Sequence, residues 1–210
     1  ASFVGPIRRA MALTEQQNKF FQVFGTKIGK EVEQRLYGIA DATGRSASAM
    51  YKWAASYGAM FKGQGATTKD AAKLTKIASY LSVQFSSFND IMDETREGSN
   101  QRFISALSGS AEVLDQFGVA IKESAVGPQL KEMFNVGIRG ATDYQKAMAR
   151  LVLIGEALEQ QGAMGDAERT MYTLSNGMRN LGGKINEFMV AVGQHLVPYM
   201  AVFAQIFIWL

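Results

Sequence analysis

Side chains that commonly carry out chemistry are scarce in this sequence. Its 210 residues include one histidine, His195, and no cysteine. Nucleophilic catalysis needs a base beside a Ser, Thr or Cys, and His195 lies in an uncharged apolar stretch, where we expect a buried or interface imidazole. The lack of cysteine excludes disulfides, thiolate metal ligands and thiol nucleophiles.

Four carboxylates come nearest to a metal site. Asp90, Asp93, Glu94 and Glu97 have the spacing i, i+3, i+4 and i+7, which places them on one side of a helix. A solvated acidic helix face has the same pattern, and we prefer that interpretation. Acidic residues are frequent, but nothing marks a particular pair as the two carboxylates of a glycosidase. We therefore predict no catalytic residue, no metal and no cofactor.

A glycine-rich loop, Gly63-Gln64-Gly65, precedes a predicted helix that carries Lys69. Helix N-termini can bind phosphate, but this spacing differs from the Walker pattern and no strand precedes the loop. We interpret it as a plain connection. The net charge of +3 is mild and no dense basic patch with interleaved aromatic residues is present, so sequence-specific nucleic-acid binding is not expected.

Apolar residues recur at helical spacing along most of the chain, and no alternating pattern indicates a sheet. The chain is 47% hydrophobic, so it can bury a core. The predicted apolar faces are Phe20, Phe24, Ile28, Val32 and Leu36; Met50, Trp53, Tyr57 and Phe61; Leu74, Ile77, Leu81, Phe85, Phe88 and Ile91; Phe103, Ile104 and Leu107; and Met148, Leu151, Val152, Ile154 and Leu158. The third face resembles a heptad seam, which favours near-parallel packing against another helix.

Capping residues predict where these helices begin and end. Thr14 with Gln17 and Thr142 with Gln145 both have the capping-box pattern. The other predicted ends are Gly44 as a stop, Ser46 and Thr67 or Thr68 as N-caps, Pro128 in the first turn of a short helix ending at Gly137, and Asp166 as the cap of the last helix. A short extended segment is expected at 118–123, with Val119 and Ile121 on one side.

The fold class is therefore all-α, with several amphipathic helices joined by short Gly/Ser loops. We divide the chain into an N-terminal amphipathic helix at 1–40, a helical core at 41–165 and a long C-terminal helix at 166–210. The last helix would carry Met171, Leu174, Met178, Leu181, Ile185, Met189 and Val192 along one face. A homo-oligomeric helical bundle would bury such a face.

The final stretch, Phe188–Leu210, contains no Asp, Glu, Lys or Arg. About 20 apolar residues suffice for a helix to cross a bilayer, although Pro198 favours a kink. We expect this helix to pack first against the same helix of sister copies. Membrane insertion would be a later, conditional state. Its contact residues would be Phe188, Met189, Val192, Leu196, Val197, Val202, Phe203, Ile206, Phe207, Ile208, Trp209 and Leu210.

Several short stretches follow one another in a characteristic order: Ala42-Thr43-Gly44-Arg45-Ser46, Met50-Tyr51, Tyr57-Gly58-Ala59-Met60-Phe61, Leu81 to Asn89, Ser105 to Gly109, Phe117-Gly118-Val119 leading to Glu123, Gly165 to Thr170, Asn176 to Leu181, and Val192 to Pro198. Together they resemble the conserved helical region of tail tape measure proteins of tailed bacteriophages. Their order and spacing over about 40–200 carry the resemblance. The motif residues are Ala42, Thr43, Gly44, Ser46, Met60, Phe61, Ser108, Gly109, Gly118, Glu123, Gly165, Asp166, Arg169, Thr170, Gly193 and Pro198.

The resemblance implies a structural virion protein inside the tail tube, which sets tail length and leaves ahead of the DNA. It also implies a homo-oligomer, commonly a trimer, that contacts tail tube and tail-tip proteins and inserts apolar segments into the host envelope. Even a fully helical chain of this length spans only about 315 Å, so we expect a piece of a longer protein. Two alternatives stay open: a helical membrane-active pore former, and an envelope-degrading enzyme, for which no site is visible here.

Overall fold

The computed structural model describes residues 4–89 and 93–170 and the two helical positions 191 and 194. Within this range the protein is all-α, as predicted. Seven α-helices follow one another: α1 (Val4–Thr43), α2 (Ala47–Gly63), α3 (Thr68–Phe88), α4 (Asp93–Ser108), α5 (Glu123–Phe134), α6 (Asp143–Gln160) and α7 (Asp166–Arg169). A 3₁₀ helix, Ala111–Phe117, lies between α4 and α5.

Helix α1 reverses direction at Gly25, whose φ of 70° and ψ of 166° are not helical. The ring of Tyr51 in α2 lies 5.3 Å from that of Phe20 and 6.0 Å from that of Tyr37. In a straight helix Phe20 and Tyr37 would be about 26 Å apart, so the two parts of α1 form a hairpin around α2. The single N-terminal helix predicted for 1–40 is therefore wrong in shape, although Phe20, Phe24, Val32 and Leu36 are buried as expected.

Thr14 does not begin this helix. It lies ten residues inside α1, and its hydroxyl donates to the carbonyl oxygen of Ala10 at 3.1 Å. The capping-box prediction at Thr14 is thus wrong. A Ser or Thr inside a helix commonly bonds back to the carbonyl four residues earlier, which the local sequence does not distinguish from a cap.

Helix α3 lies at the centre and contacts α1, α2, α4, α6 and α7. Its buried residues include Leu74, Leu81 and Phe85 of the predicted seam, but Ile77 and Phe88 are 48% and 41% exposed. Most of the fully buried positions that the seam prediction missed are small: Ala71, Thr75, Ala78, Ser79, Ser82 and Ser86. Val83 and Gln84 are the larger ones among them. Small side chains let neighbouring helices approach closely, so several helices can surround α3.

Helices α3 and α6 run parallel. Leu81 of α3 lies within 3.6 Å of an ideal Cβ at Gly155 of α6, and further along Gln84 contacts Ala167 beyond the end of α6. The chain between them forms α4, the 3₁₀ helix and α5. Val119 and Ile121 are buried in a non-helical connection, but no strand forms among the described residues.

Pro128 is the sixth residue of α5 rather than part of its first turn, because the helix begins earlier, at Glu123. The helix ends at Phe134, where Asn135 takes a left-handed conformation with φ of 55°, and not at Gly137. Both differences correct the sequence prediction. A proline inside a helix loses the hydrogen bond of its missing N–H and its ring crowds the carbonyl four residues earlier. The contacts of α5 with α6 offset this cost.

No helix in the described residues has the length and hydropathy to cross a membrane. The apolar stretch Phe188–Leu210 lies outside the described residues, apart from Ala191 and Gln194, which are both helical and exposed.

Candidate functional site

Four junctions between helix ends contain most of the motif residues. The first joins α1 to α2 at Gly44, whose φ is 64°. Thr43 donates its hydroxyl to the carbonyl oxygen of Ile39 at 2.6 Å, and Ser46 accepts from the N–H of Ala49 as the predicted N-cap. Arg45, only 4% exposed, reaches the carbonyl oxygen of Val83 in α3 with its Nη2 at 3.5 Å. The Ala42–Ser46 motif therefore fastens the α1–α2 turn to the central helix.

The second junction is centred on Arg150 of α6, which is 7% exposed. Its Nη1 donates to the carbonyl oxygen of Leu107 at 3.4 Å, and its Nη2 donates to Glu123 at 3.3 Å. An ideal Cβ at Gly109, where φ is 120°, would lie 3.5 Å from Nη2. One guanidinium thus joins the end of α4, the start of α5 and the middle of α6.

Arg150 was missed by sequence reasoning, although it links the motif residues Gly109 and Glu123. A signal was present, because Arg150 falls on the apolar face of α6 between Ala147 and Ile154, which are both fully buried. A charged residue at such a position is seldom buried unless it is paired. The ion pair is asymmetric, since the side chain of Glu123 is 57% exposed.

The third junction brings Gly118 against the end of α6. Gly118 has a φ of 75° and follows the 3₁₀ helix. Gln161 donates its Nε2 to the carbonyl oxygen of Phe117 at 3.2 Å. A Cβ at Gly118 would lie 2.6 Å from that nitrogen and would displace the flexible Gln161 side chain. The left-handed conformation is the main reason for glycine at this position.

The fourth junction fastens the Gly165–Thr170 motif to α3. Gln84, fully buried, accepts from the N–H of Ala167 at 3.0 Å and donates to Glu168 at 2.7 Å. One turn later the hydroxyls of Ser87 and Thr170 lie 3.2 Å apart. Two stretches about 80 residues apart in sequence, Leu81 to Asn89 and Gly165 to Thr170, therefore meet in space.

Within this motif the N-cap position is Gly165, with φ of 74°, and Asp166 is the first residue of α7. The prediction that Asp166 is the N-cap is therefore wrong by one residue. The backbone carbonyl of Asp166 accepts from the Thr170 hydroxyl at 2.7 Å, while Arg169 donates to the carbonyl oxygens of Met164 and Gly162 at 2.7 and 3.0 Å.

The motif residues Met60 and Phe61 lie in α2, away from the four junctions. Phe61 is fully buried and Met60 is half-buried.

The remaining sequence candidates do not assemble into a described site. Gly193, Pro198 and His195 lie outside the described residues, as do Asp90 and the side chains of 93–97. Among the described residues no group of three or more His, Cys, Asp or Glu could hold a metal ion. The Gly63–Gly65 loop is a helix end, and the Thr67 hydroxyl caps α3 by accepting from the N–H of Asp70 at 3.1 Å.

Two grooves on the surface of the described residues are large enough to hold a ligand or a side of another helix. One, of about 660 Å³, separates the first part of α1 from α2 and has Lys19, Lys52 and Lys62 along it. The other, of about 360 Å³, lies between α3, α5 and α6 and is mostly apolar. We call the second one the α3–α6 groove.

A partly buried polar cluster joins α2 to the second part of α1. The Tyr51 hydroxyl donates to the carboxylate of Glu33 and lies 3.1 Å from the hydroxyl of Tyr37. Burial, followed by these hydrogen bonds, raises the pKa of Tyr51. The cluster therefore holds α2 against the second part of α1, which contributes both Glu33 and Tyr37.

Comparisons of this chain with protein-family models, with curated protein sequences and with solved structures give no match.

Proposed function

We propose that this chain is a segment of a tail tape measure protein of a tailed bacteriophage. It would be a structural, non-enzymatic component of the virion that lies in the tail interior, contributes to setting tail length and leaves at DNA ejection. Its partners would be further copies of itself, as a trimer, together with tail tube and tail-tip proteins. After ejection it would reside in the host cell envelope, where it helps to form a conduit for the DNA.

The observation that carries this proposal is the pairing of separate motif stretches in space. Leu81–Asn89 contacts Gly165–Thr170 through Gln84 and Ser87, and Arg150 joins the Gly109 turn to Glu123. Short stretches can each resemble a family by chance. Here the stretches occur in the same order as in the family, and they also contact one another in the fold. The combination supports the resemblance more strongly than any one stretch does.

The apolar segment Phe188–Leu210 would serve the later stages of this function. Its twelve candidate contact residues carry no charge, so in the stored protein they would pack against the same segment of sister copies. Once the protein leaves the tail, the same side chains could enter a lipid bilayer without burying a charged group. A homo-oligomeric bundle thus accounts for an apolar segment in a protein that is first stored in an aqueous tube.

Locating the chain in virions of the phage that encodes it tests the proposal. An epitope inserted in the exposed turn at Gly137–Gly140 should be inaccessible to antibody in intact particles and accessible in opened tails. Peptides of the chain should be found in purified tails by mass spectrometry, and a phage without the epitope is the control. Absence of these peptides from tails would refute the proposal, and a mature natural product of only 22.9 kDa would refute the expectation of a longer protein.

A helical membrane-active pore former is the second candidate, and the uncharged stretch Phe188–Leu210 favours it. The 210-residue chain and a chain truncated before Phe188 should then differ in leakage of dye from liposomes. Strong leakage by the longer chain, with no counterpart in phage tails, would favour the pore former. Equal leakage by both chains would remove the apolar segment from either mechanism.

A further inference from the structure

The α3–α6 groove exposes apolar side chains that a folded protein usually covers. Its walls include Ile77 of α3, Met133 of α5, Val152 of α6 and Met164 in the turn before α7. Ile77 is 48% exposed although it belongs to an apolar helix face. Methionine side chains adapt their shape to a partner, so these walls suit a helix with an apolar face.

One rim of the groove is acidic. Glu156 and Glu159 of α6 line it and are both exposed. Since a bound helix would place its flanking side chains beside these carboxylates, Lys or Arg at those flanks would be favoured.

The described chain ends close to this groove. Met164 lines it, and six residues later Thr170 is held beside Ser87 at the end of α3. The continuing chain therefore begins within a few residues of the groove, which gives it a high effective concentration there.

Residues 171–187, outside the described range, have the composition that the groove requires. Their apolar residues Met171, Leu174, Met178, Leu181 and Ile185 recur at steps of three and four, which is the spacing of one helix face. Arg179 and Lys184 fall on the two flanks of that face, and Glu187 is the only acidic residue. The sequence thus offers charges opposite to those of Glu156 and Glu159.

The lengths also agree. From Met148 to Glu159 the α6 wall comprises twelve residues, or about 18 Å of helix, and the fifteen residues 171–185 correspond to about 22 Å at the same helical rise. We propose that residues 171–187 bind in the α3–α6 groove of their own chain, with the apolar face on the methionine-rich walls and Arg179 or Lys184 beside the acidic rim. This binding does not depend on the chain being a tape measure segment.

Cysteine cross-linking of the full 210-residue chain tests this, because the natural sequence has no cysteine. The pair V152C and M178C joins the middle of the groove to the middle of the segment, whichever way the segment runs. The control pair is S56C and M178C, in which the half-buried Ser56 lines the other groove. After mild oxidation we expect an intramolecular disulfide in the first pair only, identified by peptide mass and by monomeric mobility without reductant.

Each other result contradicts the proposal. A disulfide-linked dimer from V152C and M178C would show that a second copy occupies the groove. Equal cross-linking of both pairs would indicate unspecific contact, and no cross-linking, with the circular dichroism of the natural chain retained, would show that the segment lies elsewhere.

Charge exchange provides a second measurement that does not depend on the disulfide geometry. In the V152C and M178C background, the pair E156K and E159K should slow cross-linking about threefold, the size expected for exposed ion pairs. Adding R179E and K184E should restore the rate. A cross-linking rate that stays unchanged in E156K/E159K, both without and with R179E/K184E, would exclude the assigned charge pairing. If R179E and K184E do not restore the rate, these side chains do not contact Glu156 and Glu159 directly.

Discussion

A side chain at Gly58 of α2 would overlap the ring of Phe24 in α1, since an ideal Cβ would lie 2.8 Å from Phe24 Cε1. The Phe24 ring is 2% exposed and cannot move into solvent without opening the core. The α1–α2 contact therefore depends on a glycine inside a helix. The close packing against Phe24 requires glycine at this position, and the backbone φ does not. Gly58 also belongs to one of the stretches that resemble the tape measure family.

We expect G58A to destabilise the protein by about 1–3 kcal/mol, the usual cost of overpacking a core. The matched control is G38A in α1, where an added Cβ meets no atom within 4 Å. That substitution should stabilise the helix by about 0.5–1 kcal/mol because glycine loses more entropy on folding than alanine. Urea denaturation monitored by circular dichroism measures both, and effects of the same sign would contradict the assigned contact.

Replacing Arg150 with methionine should lower the free energy of unfolding by about 3 kcal/mol, since hydrogen bonds of a charged donor contribute about 1.5–3 kcal/mol. The carbonyl of Leu107 and the carboxylate of Glu123 would lose their partner. K146M, which removes an ion pair with the exposed Asp143 at 3.7 Å, is the control and should change stability by less than about 1 kcal/mol. Similar losses in the two variants would show that Arg150 does not hold the junction.

Two identical capping-box patterns should respond differently to alanine. Thr142 is a true N-cap, with reciprocal bonds of 3.2 Å from Gln145 N–H to its hydroxyl and 2.9 Å from its own N–H to the Gln145 side chain. T142A should therefore cost about 1 kcal/mol. T14A should be within about 0.5 kcal/mol of neutral, because Thr14 lies inside α1. A larger loss of unfolding free energy in T14A than in T142A would contradict the assignment of Thr142, and not Thr14, as an N-cap.

Alkaline conditions should destabilise the fold through Tyr57. The side chain is fully buried, and burial raises the pKa of its phenol. In the unfolded chain the pKa is about 10, so above that pH the unfolded state loses a proton that the folded state retains. Between pH 10 and 11 this should remove about 1 kcal/mol of stability. In Y57F the loss should be smaller by that amount, and identical pH profiles of the two proteins would contradict the prediction.

Local features of this fold could be read from the sequence. Ser46, Thr67 and Thr142 accept from the backbone three residues later, as predicted. Gly44 ends α1 and the Gly63–Gly65 stretch ends α2. These features depend on side chains and backbone groups within a few residues, so short patterns contain the necessary information.

Features that depend on distant contacts could not be read in this way. The ladder from Phe20 to Leu36 keeps its spacing through Gly25, so nothing in its periodicity reveals the reversal. The burial of small polar residues such as Ser79 and Ser82 follows from the number of helices around α3. The role of Arg150 likewise exists only because α4, α5 and α6 meet around it.

The parallel arrangement of α3 and α6 has a consequence for synthesis on the ribosome. Residues 4–88 can already pack as α1, α2 and α3, but α6 is complete only 72 residues later, at Gln160. At about 5–20 residues per second, translation of that interval takes roughly 4–14 s. During this time the side of α3 that later meets α6 is uncovered in the nascent chain, which makes this interval the period when self-association or chaperone binding is most favoured.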